Sequence, residues 1–181
     1  FILTVNAINN TPILTEIGAQ ATDEDTDFTI DLSASDVDID ENGQTLTYSA
    51  VSSDTTLVIV TTTTEGDSTG SGTLTFDVLD EQNGSADITV TVNDAQGRAV
   101  DSETFTLTVN PVNDAPELSD IGAQSMDEDG SHTLTLSSSD IDGGDPSYSA
   151  SSDESNVSAS VEGDQLTLDS GDDWNGTANI T

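Results

Sequence analysis

Acidic and amide side chains recur at a fixed interval along this 181-residue chain. One set comprises four residues, two within the proline-bounded segment "PVNDAP" and two that follow it: Asn113, Asp114, Asp140 and Asp142. A matching set lies 104 residues earlier and comprises Asn9, Asn10, Asp36 and Asp38. Carboxylate and amide oxygens are ligands that Ca²⁺ prefers, and the ion takes about six to eight of them. The recurrence therefore predicts calcium sites at the ends of repeated domains.

The charge of the chain excludes several classes of function. It carries 36 acidic side chains and one basic side chain, Arg98, which gives a formal net charge of −35. Nucleic acids and anionic membranes need basic patches, so neither is an expected partner. There is no cysteine, which excludes thiol catalysis and disulfides. The one histidine, His132, has no marked catalytic neighbour, so we expect no enzyme, although a catalytic carboxylate pair stays open.

The sequence contains an internal repeat. The segment "IGAQATDED" that begins at Ile17 returns as "IGAQSMDED" at Ile121, and "FILTVN" at Phe1 returns as "FTLTVN" at Phe105. The second copy is shorter, and its last residue, Thr181, aligns close to Thr89 of the first. A repeat of about a hundred residues is long enough to form one modest core.

Apolar residues alternate with polar ones in several short runs of each repeat. In the first copy these runs place Phe28, Ile30 and Leu32 on one side, and likewise Leu46 and Tyr48. Three further runs follow the same period and contain Leu74, Phe76, Val78, Ile88, Val90, Val92, Phe105, Leu107 and Val109. A period of two predicts half-buried strands. We therefore expect an all-β chain of tandem immunoglobulin-like sandwich repeats with about seven strands each.

The repeat also predicts the domain boundaries. Residues 1–11 correspond to the last strand of a preceding repeat plus its linker, and residues 12–111 to a first complete repeat. Residues 112–116 form a linker with calcium ligands, and residues 117–181 form a second repeat that lacks its C-terminal strands. An unpaired strand at one end and an incomplete repeat at the other invite strand addition, so in this segment expressed alone Phe1–Asn6 is expected to join another copy head to tail, whereas in a longer chain neighbouring repeats would supply the missing strands.

The pattern of acids resembles that of cadherins and of the cadherin-like, VNDAP-type tandem repeats of large bacterial surface adhesins. The linker "PVNDAP" keeps Asn113 and Asp114 of the cadherin signature, with Pro111 in place of its leading Asp. The resemblance implies metal ligands at Glu24, Glu128, Asp80, Asp94, Asn113, Asp114, Asp36, Asp38, Asp140 and Asp142. Asp40 and Asn42 extend this supply of oxygens. The N-terminal set is expected to bind more weakly, because the neutral Asn10 occupies the repeat position that the charged Asp114 has in the other set.

The resemblance implies a mechanical function for the chain. We expect calcium-binding cadherin-like repeats that form a stiff extracellular segment of a large bacterial adhesin at the cell surface. Expected partners are neighbouring repeats of the same chain, with copies of itself or surface glycans as further candidates. One alternative is a carbohydrate-binding module, which would use Trp174, Tyr48 and Tyr148 on one exposed face. Another is an inert spacer whose acids serve only tolerance to salt.

Overall fold

The computed structural model describes residues 1–6, 8–39, 44–63, 69–96 and 100–181. The chain divides into two compact units, unit 1 at Phe1–Val112 and unit 2 at Asn113–Thr181. Among the described residues, no helix is both long and apolar enough to cross a membrane.

The described part of unit 1 contains eight strands in two four-stranded sheets. The strands are β1 (Ile13–Leu14), β2 (Gln20–Asp23), β3 (Phe28–Ser35), β4 (Thr47–Ser52), β5 (Val58–Thr62), β6 (Ser71–Val78), β7 (Gly84–Asn93) and β8 (Asp101–Asn110). One sheet has the order β1-β3-β6-β5 and the other has the order β2-β8-β7-β4. All pairs are antiparallel except β2 with β8, which run parallel.

The alternating residues named from the sequence form the core of unit 1. Leu32, Leu46, Tyr48 and the apolar residues of β6, β7 and β8 are buried, and Phe28 and Ile30 pack against them. At the centre of this core Phe76 stacks on Phe28 with a centroid distance of 4.3 Å, and Phe105 meets Phe76 edge-on at 6.3 Å. The period of two thus separates a core face from a solvent face, which confirms the predicted strand pattern.

Unit 1 has one strand more than the seven expected, because its first strand is divided between the two sheets. Leu14 pairs with Ala34 of β3, whereas Gln20 pairs with Leu107 of β8. The chain crosses between the sheets through Gly18, whose φ is +51°. Glycine adopts this left-handed conformation at little cost, so the sharp change of direction occurs there.

Unit 2 contains five short strands in two small sheets. The strands are β9 (Glu117–Leu118), β10 (Ser131–Thr135), β11 (Ser138–Ser139), β12 (Val157–Glu162) and β13 (Gln165–Ser170). One sheet has the order β10-β13-β12, and β9 pairs with β11 in the other. The buried core consists of Leu136, Leu166 and Leu168, so unit 2 has a much smaller interior than unit 1.

The register of unit 2 reproduces that of unit 1. His132 lies opposite Leu168 where, in unit 1, Phe28 lies opposite Phe76. An isolated bridge joins Ser152 to Ile180, at the position where Ser52 pairs with Ile88 in unit 1. The repeat seen in the sequence is therefore a repeat of structure, with two large aromatic core residues replaced by His132 and Leu168.

Candidate metal centre

Three of the predicted ligands form a hydrogen-bonded group at one end of unit 1, which we call the unit 1 group. Asp36 directly follows β3, and its Oδ1 accepts a hydrogen bond of 2.9 Å from the backbone N–H of Asp38. Asp38 Oδ2 in turn accepts from Asn10, at 2.6 Å from the backbone N–H and 3.2 Å from Nδ2. Aspartate often bonds the backbone two residues ahead in this way.

Asp94, which directly follows β7, is joined to this group through Asn9, whose Nδ2 also donates to the backbone oxygen of Asn10 at 3.0 Å. Asn9 Nδ2 donates to Asp94 Oδ2 at 2.7 Å, and Gln44 Nε2 donates to Asn9 Oδ1 at 2.6 Å. The other carboxylate oxygen of Asp94, Oδ1, accepts from the backbone N–H of Gln96 at 2.9 Å. The acceptor at Asp94 thus sets the orientation of both amide side chains.

The unit 1 group holds buried negative charge. Asp94 is 2 % exposed and Asp38 is 3 % exposed. The chain has no lysine, and its one arginine, Arg98, lies outside the described residues. Among the described residues, two buried oxygens of this group, Asp36 Oδ2 and Gln44 Oε1, have no hydrogen-bond partner, and the same holds for Asp114 Oδ2 in the linker. Buried polar atoms are normally satisfied, so these two oxygens need a further partner.

Unit 2 repeats the hydrogen bonds of Asp36, Asp38 and Asn10 at the matching residues, which we call the unit 2 group. Asp142 Oδ2 accepts from the backbone N–H of Asp114 at 2.6 Å, and Asp140 Oδ1 accepts from that of Asp142 at 3.0 Å. Asn113 Nδ2 donates to the backbone oxygen of Asp114 at 2.6 Å. Asp142 is exposed, unlike its counterpart Asp38. The structure therefore brings these four predicted residues together in an open setting.

Glu24 and Asp80 lie at the other end of unit 1. Glu24 is buried, and its Oε1 accepts from the backbone N–H of Val112 at 2.5 Å while Oε2 accepts from Asn83 Nδ2 at 3.1 Å. Both carboxylate oxygens of Glu24 thus have protein donors that fix the chain after β8. Asp80 is exposed. Whether these two residues share an ion with the unit 2 group stays a prediction.

Two exposed acids beside Glu24 were not selected from the sequence. Asp25 and Glu81 each offer a carboxylate oxygen within 4.8 Å of the other, and Asp25 Oδ1 accepts from the backbone N–H of Glu81 at 2.8 Å. Both have φ of 58°. In unit 2, Asp129 Oδ1 accepts from the backbone N–H of Asp173 in the same way at 2.7 Å, whereas Glu128 is exposed. In both repeats the sequence shows these acidic residues next to turns, and this was the signal that could have identified them.

Gln44 is a further member of the unit 1 group that the sequence did not indicate. It is buried, although glutamine has no preference for calcium sites that would single it out. Its position just before Leu46, whose side chain belongs to the core, carries it into the interior. Asp40 and Asn42, proposed as extra ligands, lie outside the described residues.

The two four-stranded sheets of unit 1 define an immunoglobulin-like sandwich of the kind found in tandem repeats. The chain belongs to the bacterial Ig domain family (Big_9), whose family model matches residues 9–110. Domains of this family are typically non-catalytic structural repeats. The predicted all-β, immunoglobulin-like fold class is thereby confirmed.

Solved structures with the same kind of fold resemble the chain at low identity. Drosophila N-cadherin EC1-4 is 18 % identical with a TM-score of 0.48, covering 87 % of this chain and 40 % of that one. Surface layer protein SbsC, domains 1-6, is 15 % identical with a TM-score of 0.43, covering 100 % and 24 %. The endo-fucoidan hydrolase MfFcnA4 is 14 % identical with a TM-score of 0.41, covering 93 % and 25 %.

The chain spans about a quarter to two fifths of the length of these three structures. Comparison with curated proteins gives no match. The function therefore has to be argued from the residues of this chain.

Proposed function

We propose that this chain is a calcium-binding segment of bacterial Ig-like repeats in a cell-surface protein, where ions at the ends of repeats stiffen the array. The observation that carries the proposal is the unit 1 group. It combines the buried carboxylate of Asp94 with the unpartnered buried oxygens of Asp36 and Gln44. An ion at this end of unit 1 would use oxygens that otherwise lack a partner.

Electrostatics supports a cation at the unit 1 group. Burying a carboxylate costs several kcal/mol unless another group compensates its charge. Asp94 accepts two hydrogen bonds from neutral donors, which satisfy its oxygens without supplying positive charge. A divalent ion would supply that charge and give Asp36 Oδ2 and Gln44 Oε1 a partner.

The donor set favours Ca²⁺ over other common ions. The unit 1 group offers three carboxylates and amide oxygens and contains no sulfur or imidazole ligand. Oxygen ligands suit hard cations, and Ca²⁺ accepts an irregular set of about six to eight, including waters. Mg²⁺ requires a near-octahedral shell and retains most of its waters, so an amide-rich protein site favours it less.

The unit 1 group is proposed as the stronger of the two repeated sites. The sequence favoured the unit 2 group, because Asp114 replaces Asn10 and adds a charge. However, Asp142 of the unit 2 group is exposed, whereas its counterpart Asp38 is 3 % exposed. Carboxylates that remain in water gain less from an ion than buried ones do.

The proposal also places the chain outside the cell and gives it a role in adhesion. Extracellular calcium modules bind with Kd of about 10⁻⁴–10⁻³ M, which suits an ion that is abundant outside cells. A net charge of −35 makes the chain repel itself unless cations neutralise it. Membership of the bacterial Ig domain family supports a structural repeat, with the adhesive target supplied by neighbouring repeats, by copies of the chain or by surface glycans.

The carbohydrate-binding alternative is weakened by the positions of its two tyrosine residues. Tyr48 is buried in the core of unit 1, and its hydroxyl donates to the backbone oxygen of Gly70. Tyr148 packs against the core of unit 2, with its hydroxyl bonded to Ser138 Oγ at 2.9 Å. Neither ring is presented as an open platform for a sugar, so the calcium-binding proposal is preferred.

Thermal unfolding of the metal-stripped chain, titrated with CaCl₂ against NaCl at matched ionic strength, tests the proposal. Calcium is expected to raise the melting temperature in the low-millimolar range, and Asp36→Asn is expected to reduce that increase. Asp31→Asn is the matched control, because Asp31 is exposed on β3 of the same unit. If CaCl₂ and NaCl act alike, the acids are only a charged surface and the inert spacer is the better description.

A further inference from the structure

A stretch of unit 1, residues 14–24, runs beside β8 from one end of that strand to the other. Two carboxylates at the start of β8 accept hydrogen bonds from the backbone of this stretch. Leu14 N–H donates to Asp101 Oδ2 at 2.8 Å, and Ile17 N–H donates to Glu103 Oε2 at 2.9 Å. Side chains of β8 thus bond a part of the chain whose backbone is not in a ladder with β8.

The rest of the stretch is joined to β8 through backbone hydrogen bonds. β2 pairs in parallel with β8 over four residues, from Gln20 opposite Leu107 to Asp23 opposite Asn110. Directly after β2, the backbone N–H of Glu24 donates to the backbone oxygen of Asn110 at 2.9 Å. The contacts therefore advance in the same direction along both segments. We call this junction of residues 14–24 with β8 the parallel seam.

The two carboxylate links are a large part of what holds residues 14–24 in place. β8 pairs with β7 over nine residues but with β2 over only four. β1 adds two pairs with β3. Asp101 and Glu103 are both half-buried, and hydrogen bonds to a charged acceptor are roughly twice as strong as neutral ones. Withdrawal of this stretch from unit 1 therefore has to break two strong bonds in addition to a short ladder.

Tension along the chain would act on the parallel seam in shear. Residues 14–24 and β8 run in the same direction, so the chain before Ile13 pulls one of them towards one end of unit 1. The chain after Asn110 pulls β8 towards the opposite end. Force along two parallel strands strains all of their evenly spaced links at once, whereas force that separates them sideways breaks the links one after another.

We propose that the parallel seam is the force-bearing element of unit 1, with the carboxylates of Asp101 and Glu103 as its side-chain clamps. This inference rests on the proposed function for one premise, namely that the chain carries tension as a repeat at the cell surface. The links of the seam are hydrogen bonds within the protein, so the clamp is expected to act in the metal-free chain. Unit 1 then resists pulling along the chain more strongly than pulling across the seam.

Single-molecule force spectroscopy of the whole chain in chelator, tethered at its two ends, tests the proposal. Unit 1 is recognised by the length that its unfolding releases, about 3.3–3.6 Å for each of its residues. Asp101→Ala and Glu103→Ala are each expected to shorten the lifetime of unit 1 at constant force at least about tenfold, because each removes a charge-assisted hydrogen bond that must break first.

Two control variants separate clamping from charge and from general stability. Asp77→Ala removes an exposed acid from β6, which does not pair with β8, and should leave the lifetime under force unchanged. Val58→Ala opens the core at a fully buried position on β5. It should lower the melting temperature at least as much as Glu103→Ala does, yet shorten the lifetime under force less, because its contacts persist until the seam has opened.

The direction of pulling supplies an independent test on a seam with all its links. The chain has no cysteine, so Val100→Cys gives a single attachment point directly before β8, at a position that is 44 % exposed. Force between this cysteine and the N-terminal tether peels residues 14–24 from β8. Because the links then break one at a time, the force needed at a given loading rate should fall at least about twofold.

Equal forces in the two pulling directions would overturn the proposal. So would lifetimes under force that Asp101→Ala and Glu103→Ala shorten no more than Asp77→Ala does. If an alanine variant fails to fold, Glu103→Gln keeps an acceptor without its charge, and the comparison of directions needs neither variant. A chain that calcium does not stabilise would refute the proposed function and leave these results unchanged, whereas failure of the clamp leaves the calcium titration unchanged.

Discussion

Replacing Asp94 by asparagine should act in opposite directions with and without calcium. In the native chain Gln44 Nε2 donates to Asn9 Oδ1, and Asn9 Nδ2 donates to Asp94 Oδ2. An asparagine at position 94 can keep its oxygen towards the Gln96 N–H and turn its Nδ2 towards Asn9. The amides of Asn9 and Gln44 then rotate by half a turn, and the relay is restored with its polarity reversed.

The reversed relay predicts no loss of stability in the metal-free protein. After rotation, Gln44 Oε1 accepts from Asn9 and Gln44 Nε2 gives up its bond, so the relay keeps two hydrogen bonds, while the exposed bond from Asn9 Nδ2 to the backbone oxygen of Asn10 is lost. The substitution also removes a charge that is 2 % exposed. We therefore expect the metal-free Asp94→Asn variant to be at least as stable as the native chain.

With calcium the order should reverse. At about 10 mM Ca²⁺ and a Kd of about 10⁻⁴–10⁻³ M, binding adds about 1.4–2.7 kcal/mol to the free energy of unfolding. If loss of one anionic ligand weakens binding about tenfold, the added stability falls by about 1 kcal/mol. For a domain of about 100 residues this is a loss of about 4–8 °C from the calcium-induced shift in melting temperature.

Differential scanning fluorimetry in chelator and in CaCl₂ measures both quantities, with Asp31→Asn as the control for removal of an exposed charge. The reasoning is refuted if Asp94→Asn destabilises the metal-free protein while its calcium-induced shift equals that of the native chain. That result would make Asp94 a purely structural hydrogen-bond acceptor.

Three further perturbations test the packing and the pH response. Phe76→Ala should lower the free energy of unfolding by about 3–5 kcal/mol in urea titration, because its ring is fully buried between two others. Gly70→Ala should destabilise unit 1 in the same assay, because φ is +73° and a Cβ would lie 2.0 Å from Ala34 O. Hydrogen bonds from Asn179 hold the pKa of Asp153 below its usual range, so the contact stabilises above about pH 4 and is lost as pH falls through the lowered pKa. Hydrogen exchange of the Asn179 amide, corrected for intrinsic rate, should therefore lose protection at low pH, and Asp153→Asn should abolish this dependence.

Alternation and repetition were enough to predict the sandwich and most of its core. Apolar residues such as Leu74 and Phe76 occur at every second position, which places them on the same face of the strand, and that face is buried in the core. The division of the first strand between two sheets was not predictable in this way, because it depends on Gly18 and on pairing with β8, a strand distant in sequence. Two-residue strands such as β1 are too short to show a period.

The relation between Asp36 and Asp38 was predictable because it is local. Asx turns link residues two apart, so the same spacing gives the same hydrogen bonds at Asp140 and Asp142. Gln44 and Asn9 were harder to predict as partners, because their contact depends on how three loops meet at the end of the sandwich. A sequence pattern specifies the donors within one loop, whereas the complete donor set depends on the tertiary fold.

The burial of each site also could not be read from the repeated motif. The residue after Asp38 is Ile39, whose side chain enters the core of unit 1, whereas the residue after Asp142 is Gly143, which has no side chain to bury. Anchoring by Ile39 explains why Asp38 is buried and Asp142 is exposed. The unit 2 group has more formal charge in its linker, at Asp114, but water solvates the exposed carboxylate of Asp142. Burial rather than the number of acids therefore decides where a bound cation would contribute most to stability.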